Sequence, residues 1–375
     1  MKIVVIGTRG IPEIQGGVET HCQELFPRIA AMGHEVTVIR RTPYVDGRNR
    51  MDSYKGVRLV DVYAPKSKSL EAIVHTFLAA VKARRLSPDI VHVHAVGPAL
   101  MVPFLRVLGL KVVWTDHGPD YDRQKWGGFA KAVLRFGERM GARFSNKVIV
   151  ISTVIADILR SKYGRTDSEL IYNGVNISSP SSDTQFLVES GIRPGRYILA
   201  MGRLVEEKGF HDLIKAYSQW PLKNKYQLVI AGDADHEDGY SRRLKSMAAD
   251  VEGVVMTGFI RGEKLSQTLA NAALFVMPSY HEGLPIALLE ALSYRLDVAV
   301  SDIPANLISP LDAASDFFHA GDVDGITDAL TRKLSSEAVA PVRRRYDLSA
   351  YDWDTIARQT ADVYRSILNV DNSVK

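Results

Sequence analysis

Short, near-continuous apolar runs recur along the chain and alternate with stretches of helical period. KIVVI (2–6), EVTVIR (35–40), VRLVDV (57–62), DIVHVH (89–94), KVVWT (111–115) and KVIVIS (147–152) read as strands. Amphipathic stretches at Val18–Met32, Leu70–Arg85, Pro98–Leu108 and Trp126–Met140 separate most of them. Strands apolar on both faces, spaced by helices, predict a parallel sheet covered on both sides. The Ser-, Pro- and Gly-rich segment 176–195 breaks the alternation and reads as a linker. The pattern then restarts with RYILAMG (196–202), YQLVIAG (226–232), GVVMTG (253–258), ALFVMP (273–278) and DVAVSD (297–302). Helices are expected from about Phe210, over 240–249 and 262–271, after Pro285, and from Ala350 to Leu368. The expectation is α/β, two doubly wound domains in tandem: 1–175, then the linker, then 196–349, with 350–375 packing back on the first. Sheets of this kind bind ligands beyond the carboxyl ends of their strands.

A length of 375 residues suits two domains, and a composition of 46% hydrophobic and 24% charged residues is ordinary for a globular protein. Cys22 is the single cysteine, so no intrachain disulfide forms; it opens an apolar helix and reads as a small packed side chain. The start, MKIVVIG, reads as a first strand, not a signal peptide. No apolar stretch approaches the roughly 18 residues of a membrane span. A cytoplasmic protein is expected. The net charge of +4 divides unevenly, +10 over residues 1–175 and −6 over 176–375, which suggests different partners for the two halves.

Three places carry candidate chemistry. Gly16 and Gly17 lie between the first strand and the first helix, where close backbone approach and a helix N-terminus suit a phosphate; a plain loop turn is the alternative. Gly7 and Gly10 do not give the spacing of a dinucleotide fingerprint, which argues against a dehydrogenase. GRLVEEKG (202–209) follows a strand directly and sets Arg203 and Lys208 five apart, a fork and a point charge suited to a diphosphate. Glu206 and Glu207 lie between them, so a local ion-pair cluster is the competing reading. HEGLPIALLE (281–290) places Glu282 in a loop before a helix, Pro285 at its first position and Glu290 about one and a half turns inside. Taken singly, each acid is an ordinary helix-end carboxylate.

Together these residues resemble the retaining GT-B glycosyltransferases, specifically the large group 1 family that uses nucleotide-sugar donors. The resemblance covers nearly the whole chain: the Gly16–Gly17 loop, His117 in WTDHG, NGV at 173–175, GRLVEEKG, and E-x7-E preceded by PSYHEGLP. The opening GTRGIPEIQGGVET is similar to a subgroup associated with rhamnosyl and related transferases of surface polysaccharides. The resemblance implies a GT-B fold, two Rossmann-like domains facing each other across a cleft. It implies that Arg203 and Lys208 bind the donor diphosphate and stabilise the leaving charge. Backbone N–H groups of Gly16, Gly17 and the Gly283–Leu284 turn would assist, with Pro285 also at the donor site. Glu290 would hold the ribose, Glu282 and His117 would contact the transferred sugar, and backbone near Ile260 would read the base. One departure stands out: Arg295-Leu296-Asp297 replaces the family's Gly-x-Pro turn.

Breaking a sugar–phosphate bond leaves negative charge on the nucleoside diphosphate, and fixed cations there lower the barrier. No aspartate cluster accompanies GRLVEEKG, so neither metal nor cofactor is expected. The family expectation for stereochemistry is retention by front-face attack. His117 reads as a general base, a sugar-hydroxyl ligand or a strand-end histidine satisfied by backbone. His92 and His94 share one strand face; a zinc site lacks an obvious third ligand, and core packing is the simpler reading. In KWGGFAKAVLRFGERMGARF (125–144), Trp126, Phe129, Val133, Phe136, Met140 and Phe144 run beside Lys131, Arg135 and Arg139. That face suits either the core or an anionic membrane surface, where a polyprenyl-linked acceptor would lie. A glycan acceptor is the other possibility; no nucleic-acid signature is present. The competing functions are an epimerase or phosphorylase of the same fold and a non-catalytic nucleotide-sugar binder.

Overall fold

KIVVI forms the central strand of the first unit in a computed structural model, which describes residues 1–47, 49–66, 71–118, 121, 127–177, 181–234, 237–334 and 341–372. The chain divides into two compact units, Met1–Gly174 with Ala350–Lys375, and Val175–Ser349. Unit 1 comprises β1 (Lys2–Ile6), α1 (Gly17–Ala31), β2 (Glu35–Arg41), β3 (Ser53–Tyr54), β4 (Val57–Val62), α2 (Glu71–Leu86) and β5 (Ile90–His94). It continues with α3 (Val102–Val107), β6 (Val112–Asp116), α4 (Gly128–Phe144), β7 (Lys147–Val150), α5 (Thr153–Tyr163) and β8 (Glu169–Leu170). The sheet runs β3-β4-β2-β1-β5-β6-β7-β8, parallel except for the edge strand β3. Its direction of growth reverses between β1 and β5, which makes the crevice beyond their carboxyl ends the switch point.

Unit 2 holds α6 (Gln185–Glu189), β9 (Tyr197–Met201), α7 (Phe210–Gln219), β10 (Gln227–Ala231), α8 (Gly239–Ala249), β11 (Val254–Gly258) and α9 (Gly262–Ala270). Then come β12 (Leu274–Met277), α10 (Ile286–Ser293), β13 (Val298–Ser301), β14 (Phe317–Phe318) and α11 (Val323–Lys333). Its all-parallel order, β11-β10-β9-β12-β13-β14, is that of a dinucleotide-binding Rossmann sheet, with the switch point between β9 and β12. The expected linker therefore holds a short helix of unit 2, α6, in its second half.

The last helix, α12 (Trp353–Asn372), belongs to unit 1, where Trp353, Ile356, Ala357, Tyr364 and Ile367 join the core made by β1, β2 and α1. Each large apolar side chain so buried contributes roughly 1.5–3 kcal/mol. Tyr364 also ties the helix to the sheet, its hydroxyl 2.6 Å from His92 Nδ1. Cys22 is fully buried in the same core, and burial pushes its thiol pKa up, as a packed side chain requires.

Two local expectations change. Pro285 stands one residue before α10, in extended backbone (φ −78°, ψ 111°), and not inside its first turn. The turn without Gly-x-Pro is made by Arg295 in the left-handed region, φ +60°. It is held because Arg344 N–H donates to Arg295 O at 2.8 Å, Leu296 is fully buried, and Asp297 enters an ion network. In that network Lys333 Nζ and Arg344 Nη1 both reach Asp297 Oδ1 and the fully buried Asp316 Oδ1, at 2.6–3.0 Å.

Burial alone would raise the Asp316 pKa, but the hydrogen bonds from Arg344 and Lys333 hold it below the usual carboxylate range. The stabilisation is therefore present above about pH 4 and lost as pH falls through the depressed folded value. Asp316→Asn, which leaves Lys333 and Arg344 to share the single carboxylate of Asp297, should cost about 3 kcal/mol in urea unfolding at pH 7. The gap from wild type should narrow below pH 4.

Candidate active site

In unit 2 the strand exits around the switch point are drawn together by glycines. Gly202 N–H donates to Ala231 O at 3.0 Å, and Gly232 N–H to Gly258 O at 2.8 Å. A Cβ on Gly232 would stand 1.8 Å from Gly202 O, so only glycine permits this approach. The loop after β9 carries Arg203, then a single tight turn, Glu206–Lys208, closed by Gly209 at φ +65°. A Cβ on Gly209 would lie 2.1 Å from Pro278 O, which brings the turn directly against the exit of β12. Tyr280 N–H donates to Glu207 O at 2.8 Å and its hydroxyl donates to Asp212, fastening the β12 loop to the start of α7.

This juxtaposition brings Lys208 to Glu282. The ammonium lies 2.5 Å from Glu282 Oε1, and both side chains are largely buried. Ser279 Oγ donates to the same carboxylate oxygen at 2.7 Å. Lys208 therefore pairs across the switch point with an acid 74 residues away, not with the neighbouring Glu206 or Glu207. Arg203, partly buried, starts the same loop; Gly283, Leu284 and Pro285 lead into α10, and Glu290 is the fifth residue of that helix. Ile260 follows Gly258 at the exit of β11. Beside it a cavity of about 420 Å³ is lined by Leu204, Gly232, Asp233, Lys245, Met256 and Gly258, among others.

In unit 1, Gly16 (φ +147°) precedes α1, but the loop already holds a negative charge. Glu19 Oε1 accepts from Thr8 Oγ1 at 3.2 Å and from Arg9 N–H at 3.0 Å. An anion at Gly16 and Gly17 would share its surroundings with that carboxylate. His117, just past β6, is partly exposed and its Nε2 lies 3.0 Å from His94 Nδ1. Burial first, and the His92 imidazole second, lower the pKa of His117 to about 3. It is thus neutral at physiological pH, a better hydroxyl partner than general base. His21, on α1, joins the group: its ring centroid is 5.0 Å from that of His117, and its Nδ1 is 2.9 Å from Asn173 Oδ1. Sequence reasoning missed His21 because α1 and β6 are remote in the chain.

The apolar stripe on α4 faces outward. The helix buries Gly137, Glu138, Gly141 and Ala142, glycines being required because a Cβ on Gly137 would meet Val96 O at 2.2 Å. Phe129, Phe136 and Phe144 are exposed, alongside Arg135, Arg139 and Arg143. The core-facing reading of this face is corrected; Trp126 lies outside the described residues.

Gly209→Ala tests the juxtaposition. The left-handed backbone and the Pro278 contact together predict a loss of at least about 2 kcal/mol in stability. Gly239→Ala, where nothing lies within 4 Å, should stay within about 0.5 kcal/mol of wild type. Thermal and urea unfolding measure both.

Two family models match the chain, Glycosyltransferase Family 4 over residues 15–179 and Glycosyl transferases group 1 over residues 185–352. An uncharacterized glycosyltransferase of Methanocaldococcus jannaschii is 26% identical, over 97% of this chain and 98% of its own. A putative teichuronic acid biosynthesis glycosyltransferase of Bacillus subtilis is also 26% identical, over 76% of each. The crystal structure of Anabaena HepE in complex with UDP and glucose superposes with a TM-score of 0.77 at 18% identity, covering 98% of this chain and 100% of that one. The sheet orders of both units and the fold likeness agree with these matches. The chain belongs to the group 1 glycosyltransferases and has the GT-B fold.

Proposed function

We propose that this enzyme transfers a sugar, with retention and without a metal at the diphosphate, from a nucleotide donor to a glycan or lipid-linked acceptor of a surface polysaccharide. The observation that carries the reading is Lys208 held against Glu282 at the switch point of unit 2. Arg203 and Lys208 bind the donor diphosphate, with the backbone N–H groups of Gly283 and Leu284 assisting and Pro285 beside them. Glu290 holds the ribose and backbone near Ile260 meets the base. The bond from the anomeric carbon to the diphosphate oxygen breaks, its electron pair staying on that oxygen, where the two cations stabilise it. The acceptor hydroxyl attacks the same face and gives its proton to the leaving phosphate. Glu282, already shared between Lys208 and Ser279, is a poor nucleophile, which supports front-face attack over double displacement. Neutral His117 accepts or donates to a sugar hydroxyl. The HepE complex with UDP and the teichuronic acid relative support the donor and acceptor classes.

Arg203→Met and Lys208→Met should each lower kcat/KM by about 10²–10³-fold, since each removes one charge-stabilising donor. A thermal-shift panel of uridine, guanosine and thymidine diphosphate sugars identifies the donor beforehand. Unchanged turnover in the double variant contradicts the reading, as does activity abolished by chelator and restored by manganese. Donor turnover without any acceptor would point to an epimerase.

No helix among the described residues is long and apolar enough to cross a membrane. The exposed aromatic and arginine face of α4, on the basic half of the chain, supports peripheral contact with an anionic cytoplasmic leaflet. The protein should sediment with anionic vesicles and much less with neutral ones at low salt. Replacing Phe129 and Phe136 by Ser should abolish the difference; equal sedimentation with both vesicle types contradicts the idea.

A further inference from the structure

The His92 and His94 rings of β5 pack against each other, 4.2 Å between centroids, but take different polar partners. His92 is fully engaged, with Nδ1 2.6 Å from the Tyr364 hydroxyl and Nε2 2.6 Å from Thr115 Oγ1. His94 instead faces His21 and His117, and one ring nitrogen from each of these three lies within 4.8 Å of the others. The sites α1, β5 and β6 that supply them are neighbours at the switch point of unit 1.

Three further features point to a ligand. Asn173 Oδ1 accepts from His21 Nδ1–H at 2.9 Å, which fixes the tautomer and leaves His21 Nε2 with its lone pair. An outer oxygen orienting an imidazole in this way is the usual support of a metal-bound histidine. His94 Nε2 is fully buried with no hydrogen-bond partner among the described residues. Its other nitrogen, Nδ1, meets only another imidazole, His117 Nε2 at 3.0 Å, and the ring is otherwise held by packing, 4.2 Å from His92 and 5.6 Å from Phe26 between centroids. Lastly, His21 and His94 are buried whereas His117 is partly exposed, which leaves a way in over His117.

Zn–N bonds of 2.0–2.1 Å in a tetrahedron require nitrogens about 3.3 Å apart. The His94–His117 separation of 3.0 Å and the 4.8 Å limit for the set bracket that value, so small side-chain rotations suffice. Three neutral imidazoles suit zinc, copper or nickel and disfavour magnesium or calcium. The donor set leaves a fourth position for water. We propose that His21, His94 and His117 form a binding site for a transition metal ion of the zinc type, distinct from the diphosphate site of unit 2. Occupancy draws His117 away from the sugar and thereby inhibits transfer; this second clause rests on the role given to His117 above, whereas the binding does not.

The test uses the full chain, stripped of metal and titrated with zinc chloride by calorimetry in a non-coordinating buffer, with cobalt absorption reporting tetrahedral geometry. One zinc ion should bind per chain and give a tetrahedral cobalt spectrum. Asn173→Ala, which keeps all three ligands, should weaken binding about 10–100-fold. His21→Gln and His94→Gln should weaken it at least as much, each variant being checked for an unchanged circular dichroism spectrum. His117→Gln, at the most exposed ligand, covers the case in which a buried variant does not fold. Absence of zinc binding by the wild type, or undiminished binding by the triple Gln variant, overturns the site. With turnover assayed, zinc should inhibit the wild type and inhibit His21→Gln much less. Tight binding without inhibition would uphold the site and overturn only the inhibitory clause, leaving the diphosphate reading untouched.

Discussion

The close approach of two strand exits in unit 2 governs what this protein can do. Because β9 and β12 are adjacent yet grow the sheet in opposite directions, their following loops diverge and leave a crevice. Gly209 allows the turn after β9 to press on the Pro278 carbonyl, and Tyr280 locks the opposing loop to Glu207 and Asp212. Lys208 and Glu282 meet as a consequence, each largely withdrawn from water. A cation held there without freedom to swing is preorganised, which is the basis of the diphosphate role proposed for it. The carboxylate beside it keeps that charge compensated in the resting enzyme.

Unit 1 reaches its own switch point by the same topology and lines it differently. The loop after β1 is braced internally by Glu19, and the exits of β5 and β6 present imidazoles. Burial keeps these rings neutral, which suits hydroxyl recognition or metal ligation and is poor for binding phosphate. The division of labour is therefore chemical: fixed charge in unit 2, uncharged polar groups in unit 1. The return of α12 to unit 1 closes the core around β1 and, through Tyr364, fixes His92.

Much of this was legible along the chain. Strands buried on both faces announce themselves as unbroken apolar runs, which is why β1, β2, β5 to β7, β9, β10, β12 and β13 were readable, while β4 and β11, only partly buried, were marked by their β-branched residues. The two-residue strands β3, β8 and β14 carry no period and owe their existence to neighbours. Helix α11 had a signal that went unused, Asp322 accepting from Gly325 N–H ahead of the buried Ile326, Ala329 and Leu330. Motif spacing found Lys208 and Glu282 separately, but their contact depends on Gly209 and Pro278 packing and leaves no local trace. His21 joins His94 and His117 only through sheet order. The outward face of α4 could not be assigned from periodicity, since the buried stripe is made of glycines and Glu138 that look polar or neutral in sequence.

A crystal structure of the enzyme soaked with its nucleotide-sugar donor tests the central claim most directly. The account predicts diphosphate oxygens within hydrogen-bonding distance of Lys208 Nζ and the Arg203 guanidinium, beyond the carboxyl ends of β9 and β12. A diphosphate lodged away from both side chains, with Lys208 still paired only to Glu282, would contradict it.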